Sequence, residues 1–126
     1  VPARFAASRL PGKPLRLLGG EPIVRHVVRR ALSSGAAQVV LATDDARIAA
    51  AVDGLDVRVC MTRSDHPSGT DRLAECAQQC GWADDALVVN LQGDEPFAPM
   101  AAVQAVASAL AASAAPMATL AAPITD

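Results

Sequence analysis

The chain has 126 residues, of which 52% are apolar but only 2% aromatic, so it can form one domain whose core is packed by small aliphatic side chains. Its formal charge of −2 argues against a general nucleic-acid binder, which normally carries a basic surplus. No apolar run approaches the length needed to cross a bilayer, and three cysteines without framework spacing are typical of free thiols in a reducing compartment. We therefore expect a cytoplasmic protein with neither nucleic acid nor membrane as its partner.

The first half of the chain alternates short apolar runs with helical patterns. Val1-Pro2-Ala3 is typical of the end of a strand, and a proline-rich loop follows it. After Pro22, five apolar positions recur at helical spacing: Val24, Val27, Val28, Ala31 and Leu32. The predicted elements of this half are a helix over 23–34, a buried strand over 38–43, a helix over 44–52 and a strand over 57–61.

The second half continues the same alternation. Its predicted elements are a loop over 62–70, a helix over 71–80, a strand over 86–91, a long helix over 100–113 and a strand over 117–122. Alternating strands and helices predict a layered α/β fold with a mostly parallel sheet. Because the chain opens on the end of a strand and stops just after another strand-like run, we expect a portion of a larger domain, truncated at both ends.

Four loops follow predicted strands, and each carries polar side chains. In parallel sheets, ligands bind beyond the carboxyl ends of the strands. The loop after residue 3, the turn at Asp44, the loop over 62–70 and the turn over 92–96 should therefore converge on one rim of the sheet.

The first of these loops gathers three cations, Arg4, Arg9 and Lys13, on a segment broken by prolines. Arginine can grip phosphate oxygens through two parallel hydrogen bonds, and lysine adds a compact charge. Phosphate binding and a solvated basic loop fit this composition equally well. Neither the Walker A pattern nor the Rossmann glycine fingerprint is present in this loop.

The turn Gln92-Gly-Asp-Glu-Pro96 comes directly after a predicted buried strand. A carboxylate at a strand end, facing a cationic loop, suits a hard cation such as Mg²⁺, which takes few carboxylates together with water and phosphate oxygens. Alternatively, Asp94 and Glu95 only cap the turn before Pro96. The cationic loop expected on the same rim favours a metal ligand at Asp94.

The segment Cys60-Met-Thr-Arg-Ser-Asp-His-Pro-Ser-Gly-Thr-Asp-Arg72 could serve either a ligand or a helix start. Its hydroxyls and Gly69 could approach a base closely, and Arg63 and Arg72 could meet a phosphate or a base. Thr70 or Asp71 could instead cap the next helix, with Glu75 downstream. The two interpretations are compatible.

Two further patterns have simpler interpretations. Cys76 and Cys80 lie one helical turn apart, but no second ligand pair accompanies them, so we interpret them as buried apolar thiols. Asp44 is predicted to cap the helix over 44–52.

Three motifs together identify a family. The opening segment Pro2-Ala-Arg-Phe-Ala-Ala-Ser-Arg-Leu-Pro-Gly-Lys-Pro-Leu15 resembles the signature of cytidylyltransferases that activate acidic sugars. The 60–72 segment and Val89-Asn-x-Gln-Gly-Asp-Glu-Pro96 resemble the 3-deoxy-manno-octulosonate (KDO) cytidylyltransferases, or CMP-KDO synthetases. The resemblance implies a three-layer Rossmann-like nucleotidyltransferase fold, of which residues 1–126 would be a single nucleotide-binding portion without the C-terminal half.

The activity implied by the resemblance is transfer of CMP from CTP to KDO with release of pyrophosphate, for lipopolysaccharide synthesis, with Mg²⁺ as cofactor and a homodimer as the complete form. The residues that match family positions are Arg9 and Lys13 at the triphosphate, Ala3 and Arg4 over the nucleotide, Arg63, Ser68, Gly69 and Thr70 around cytosine, Gln92 at the sugar and Asp94 at magnesium. The catalytic set would be Arg9, Lys13 and Asp94.

Two alternatives remain open. The sugar could be another acidic sugar, such as 8-amino-KDO or a sialic acid, or the chain could bind a nucleotide without catalysing transfer. The chain also departs from the family pattern at Pro67, where a glutamine is usual, so any role of that glutamine side chain is lost here.

Overall fold

The computed structural model describes residues 1–124 and contains a parallel sheet between helices. The sheet has three strands in the order β1 (Pro2–Ala3), β4 (Val40–Thr43) and β5 (Arg58–Met61). β1 pairs with β4 in the register Pro2↔Ala42, and β4 pairs with β5 in the register Val40↔Arg58. The predicted α/β class and the parallel sheet are confirmed.

The helices and the remaining strands occupy the intervals between these three strands. A 3-10 turn, Lys13–Leu15, precedes a small antiparallel hairpin that the sequence patterns did not predict. The hairpin consists of β2 (Leu17–Leu18) and β3 (Glu21–Pro22), and the helices are α1 (Ile23–Leu32), α2 (Ala46–Ala50), α3 (Gly69–Cys80) and α4 (Met100–Ala111). Within residues 1–124, no helix is long and apolar enough to span a membrane.

Alternation along β4 creates the layers of the fold. Leu41 points into a cluster with the buried valines of α1 and with Ile48 of α2. Val40 and Ala42 point to the opposite face, where they pack against Cys76 and Leu73 of α3. Successive strand residues face opposite sides, so α1 and α2 cover one face of the sheet and α3 covers the other.

Two predicted strands, 86–91 and 117–122, are not strands in the structure. β1 consists of only two residues and so offers little backbone for strand pairing. The hydrogen bond to β1 comes from the Gly93 amide, which donates to the Pro2 carbonyl at 3.0 Å and lies beyond the last residue of the 86–91 segment. Upstream of this contact, the segment borders a groove of about 580 Å³, and Leu87 remains 54% exposed. Residues 117–122 are exposed throughout and, among residues 1–124, pair with no strand.

Each helix boundary lies within two residues of the sequence expectation. α3 begins at Gly69 because Ser68 caps it, accepting a hydrogen bond from the Asp71 amide at 3.2 Å. The expectation that Thr70 or Asp71 is the cap was therefore wrong. Asp45, not Asp44, caps α2 by accepting from the Arg47 amide at 2.8 Å.

Candidate functional site

The four loops predicted to converge do meet at one rim of the sheet. Gly93 contacts the end of β1, because a Cβ at Gly93 would lie 2.8 Å from the Ala3 Cβ and 2.9 Å from the Pro2 carbonyl oxygen. Gly69, at the start of α3, lies against Pro2 and the Gln92 side chain, with a virtual Cβ 3.4 Å from Gln92 Nε2. The structure thus brings Ala3, Gly69 and Gln92 together.

Lys13 and Asp94 make the central contact of this rim. Lys13 Nζ donates to Asp94 Oδ2 at 2.8 Å, across 81 residues of sequence. Their side chains are 40% and 42% exposed, so solvent screens the pair and it stabilises the fold by only about 0.2–1 kcal/mol. The predicted juxtaposition of lysine and aspartate is present as a direct ion pair, so a ligand that bound between the two groups would have to separate them.

The loop that carries the other cations is held closed by its own backbone. The Gly12 amide donates to the Phe5 carbonyl at 2.7 Å, and Gly12 adopts a left-handed φ of 69° against the Phe5 ring. The Arg47 guanidinium lies 3.8 Å from the centroid of that ring, a cation–π contact. Arg4 and Arg9 are exposed on this loop, where their guanidinium groups can reach an anion.

The loop over 62–70 is organised by Glu75 of α3. Glu75 hydrogen-bonds His66 Nε2 and accepts from the Arg63 amide at 3.0 Å. The His66 hydrogen bond, with help from that amide, holds the pKa of Glu75 below its ordinary value. His66 is therefore a structural partner of α3. Arg63 itself is exposed and paired with Asp65.

Arg72 and Asp44 form a buried pair that sequence patterns did not identify. Arg72 is 2% exposed and donates to Asp44 Oδ2 at 3.3 Å, to Thr62 Oγ1 and to the Arg63 carbonyl at 3.0 Å. Breaking such a pair typically costs about 3–5 kcal/mol because one charge stays buried alone. Arg72 thus connects the strand ends to α3. The sequence had allowed Arg72 to bind a phosphate or a base, but its guanidinium is occupied by these buried contacts.

The remaining predicted residues lie at or beside this rim. Ser68 caps α3 and Thr70 is exposed in its first turn, where helix amides and the positive end of the helix dipole favour acceptors and anions. Gln92 donates from Nε2 to Asn90 Oδ1 at 3.2 Å. Sequence reasoning missed Gly93, although a glycine between two polar site candidates is a signal for close backbone approach.

Asp94 is the residue of this rim that could hold a divalent cation. It is an exposed carboxylate next to a cation, and Mg²⁺ commonly binds one or two carboxylates and completes its shell with water and substrate phosphates. The donor set fits Mg²⁺ brought with a polyphosphate, since a single carboxylate would hold the bare ion weakly.

Comparisons with known proteins agree on one family. The family model described as cytidylyltransferase matches residues 1–126. The chain is 67% identical to the 3-deoxy-manno-octulosonate cytidylyltransferase of Stenotrophomonas maltophilia. The alignment covers 100% of this chain and 49% of that protein. It is 64% identical to the protein of the same name from Xylella fastidiosa, covering 96% of the chain and 48% of that protein. The chain thus spans about half the length of the curated relatives it matches.

Two solved structures resemble this chain. A CMP:2-keto-3-deoxy-manno-octonic acid synthetase complexed with CTP is 43% identical with a TM-score of 0.78, covering 88% of this chain and 45% of that one. A nucleotidyl transferase from Methanothermobacter, 24% identical with a TM-score of 0.66 over 79% of this chain and 46% of that one, shares the fold.

Proposed function

This chain belongs to the cytidylyltransferase family, and on that premise we propose that the complete protein transfers CMP from CTP to KDO, releasing pyrophosphate. The product, CMP-KDO, would supply lipopolysaccharide synthesis. The observation that carries the proposal is the rim where Lys13 and Asp94 are in contact beside Gly69 and Gln92. The names of the curated relatives and the CTP complex of the structural relative support it.

In this proposal, Lys13 and Arg9 bind the β- and γ-phosphates of CTP. Lys13 exchanges its contact with Asp94 for phosphate oxygens. Because that ion pair is exposed, its loss costs only about 0.2–1 kcal/mol. A triphosphate offers Lys13 several charged oxygens in place of one carboxylate oxygen, so we expect phosphate binding to outweigh the loss of the ion pair.

Asp94 is the proposed Mg²⁺ ligand. Bound there, the ion would offset phosphate charge and lower the pKa of a coordinated hydroxyl. When Lys13 moves from Asp94 to the phosphates and Mg²⁺ binds Asp94, each of the two side chains still has a partner of opposite charge.

The other predicted residues bind and orient the two substrates. Arg63 of the 62–68 loop would surround cytosine together with Ser68, Gly69 and Thr70 at the start of α3. Ala3 and Arg4 would lie over the nucleotide. Gln92, in contact with Gly69, would reach the sugar. Holding both substrates in line replaces an encounter in solution, which can lower the barrier by about 7–11 kcal/mol.

The chemical step needs no protein nucleophile. The anomeric hydroxyl oxygen of KDO bonds to the α-phosphorus of CTP as the bond from that phosphorus to the bridging oxygen breaks. Pyrophosphate leaves with the electron pair, and the hydroxyl proton passes to solvent. Lys13 and Arg9 stabilise the charge that develops on pyrophosphate, a contribution that strengthens in the transition state.

The test is to incubate the complete protein with CTP, Mg²⁺ and KDO, and to measure pyrophosphate release and CMP-KDO by mass spectrometry. Parallel assays with 8-amino-KDO and a sialic acid determine the sugar. Equal or faster turnover of another sugar would replace KDO in the proposal. CTP binding without transfer to any sugar would leave only a nucleotide-binding role.

We also propose a cytoplasmic location and a homodimer for the complete protein. The three cysteines of this chain are free thiols, which is typical of a reducing compartment. The dimer rests on the family resemblance. Sedimentation of the complete protein at micromolar concentration tests it, and a monomer there would refute it.

A further inference from the structure

The fold gathers the three cysteines of the chain into one cluster, away from the rim. Cys60 lies on β5, and Cys76 and Cys80 lie on successive turns of α3. The three Sγ atoms all lie within 4.8 Å of one another, and Cys76 and Cys80 Sγ are 4.0 Å apart. The sequence showed only the pair on the helix, because Cys60 reaches it through strand–helix packing.

These spacings match those of three thiolates around one metal ion. Zinc–sulfur bonds are about 2.3 Å long, so three sulfurs arranged around one ion lie about 3.8–4.0 Å apart. The Cys76–Cys80 separation already has this value. The other sulfurs need to move by less than about 1 Å, which is within the reach of small side-chain rotations.

The surroundings also suit a metal ion. Cys60 and Cys76 are buried, whereas Cys80 is half-buried and gives the cluster a route to solvent. Gln79 Oε1 lies 3.2 Å from Cys60 Sγ. Gln79 Nε2 donates to the Met61 carbonyl at 3.0 Å and to Glu75 Oε1 at 2.8 Å, which fixes the carboxamide oxygen towards the thiols. That oxygen or a water molecule could complete a tetrahedral shell.

We propose that Cys60, Cys76 and Cys80 form a binding site for one divalent d¹⁰ metal ion, Zn²⁺ or Cd²⁺, separate from the nucleotide site. Soft thiolate ligands select such ions over Mg²⁺. On binding, three S–H protons pass to solvent and three metal–sulfur bonds form, with no change of oxidation state. The site then carries a net charge of −1.

Binding must compete with protons in this cluster. Burial raises the pKa of the Cys76 thiol, so a metal ion has to displace protons from the cluster. Cd²⁺, which prefers thiolate ligands strongly, is therefore the more sensitive probe, and Zn²⁺ serves as its competitor.

The experiment titrates Cd²⁺ into the reduced, metal-free complete protein and records the ultraviolet sulfur-to-cadmium charge-transfer band. We expect saturable binding of one ion at this cluster, with Zn²⁺ displacing it. Replacing a residue that only hydrogen-bonds a metal ligand typically lowers metal affinity by roughly 10–100-fold. Cys80→Ser removes a ligand itself and should therefore weaken Cd²⁺ binding by more than this. Gln78→Ser, an exposed change on the same helix, should bind Cd²⁺ like the parent.

Alkylation mapped by peptide mass spectrometry provides a second readout that needs no variant. Stoichiometric Cd²⁺ should protect Cys80, the half-buried member of the cluster, from labelling. Unchanged labelling of Cys80 in the presence of Cd²⁺, or equal Cd²⁺ affinity of Cys80→Ser and the parent, would overturn the proposal. CMP transfer is assayed separately, so failure here leaves the proposed function untouched.

Discussion

Replacing Gly93 by alanine tests whether the close contact between β1 and the 92–96 turn positions Asp94. The new Cβ would lie 2.8 Å from the Ala3 Cβ and 2.9 Å from the Pro2 carbonyl oxygen. Carbon atoms pack best at about 3.5–4.0 Å, so the turn must move by about 1 Å. Gly93 has no positive φ, so the effect is steric and not a matter of backbone conformation.

The expected cost has two parts. Overpacking typically costs about 1–3 kcal/mol, and the displaced turn weakens the 3.0 Å hydrogen bond from Gly93 to Pro2, worth about 0.5–1.5 kcal/mol. We expect a loss of about 2–4 kcal/mol in the free energy of unfolding. A shift of about 1 Å in Asp94 should also lower turnover by roughly 10²-fold.

Urea unfolding and the CMP-transfer assay on the complete protein measure these two effects. Gly54→Ala is the control, because Gly54 has a φ of 81° and no atom lies within 4 Å of its virtual Cβ. It should lose about 1–2 kcal/mol through strain alone and keep its turnover. Adding Ala3→Gly to Gly93→Ala removes the 2.8 Å contact and should restore part of the stability. If the free energy of unfolding of Gly93→Ala lies within about 0.5 kcal/mol of the parent value and its turnover is unchanged, the contact does not constrain the turn.

Three further predictions concern charged residues. Lys13→Ala should weaken CTP binding, measured by calorimetry, roughly tenfold or more, while KDO binding is unchanged. Arg16→Ala is the control, because it also removes an exposed cation. Equal CTP affinity of the two variants would contradict the prediction. Asp94→Asn should lower turnover roughly 10²–10³-fold, and steady-state rates within twofold of the parent would exclude this role. Glu75→Gln should loosen the 62–68 loop, seen as faster amide exchange. Because the pKa of Glu75 in the folded protein lies below its ordinary 4.5, its stabilising effect is present above that pH and is lost as pH falls through the folded value. The difference in melting temperature between parent and Glu75→Gln should therefore be largest at neutral pH and disappear in acid; a constant difference would show that ionisation plays no part.

The sequence predicted those parts of the fold that depend on local patterns. Helical spacing located α1 and α3 to within a few residues, and the apolar run before Asp44 located β4. Strand pairing is not local, and this is why the equally apolar run over 86–91 was misassigned. A strand needs a neighbouring backbone, and β1 supplies only two residues of it.

The candidate site divides in the same way. Residue type and position after an apolar run were enough to predict that Lys13, Asp94 and Gln92 lie at one rim. The contacts that fix this rim, such as Gly93 against Ala3 and Arg72 against Asp44, depend on distances between separate segments. Neither residue spacing nor charge pattern contains that information.

In the proposed function, the contact between Lys13 and Asp94 would also make the rim selective. A free triphosphate gains the lysine only by detaching it from Asp94, and it then faces an uncompensated carboxylate. The same triphosphate carrying a divalent cation presents the carboxylate with a positive partner at the moment the lysine leaves. A rim that acts in this way would favour the metal-complexed nucleotide over the bare anion, and inorganic anions that arrive without a cation would compete poorly.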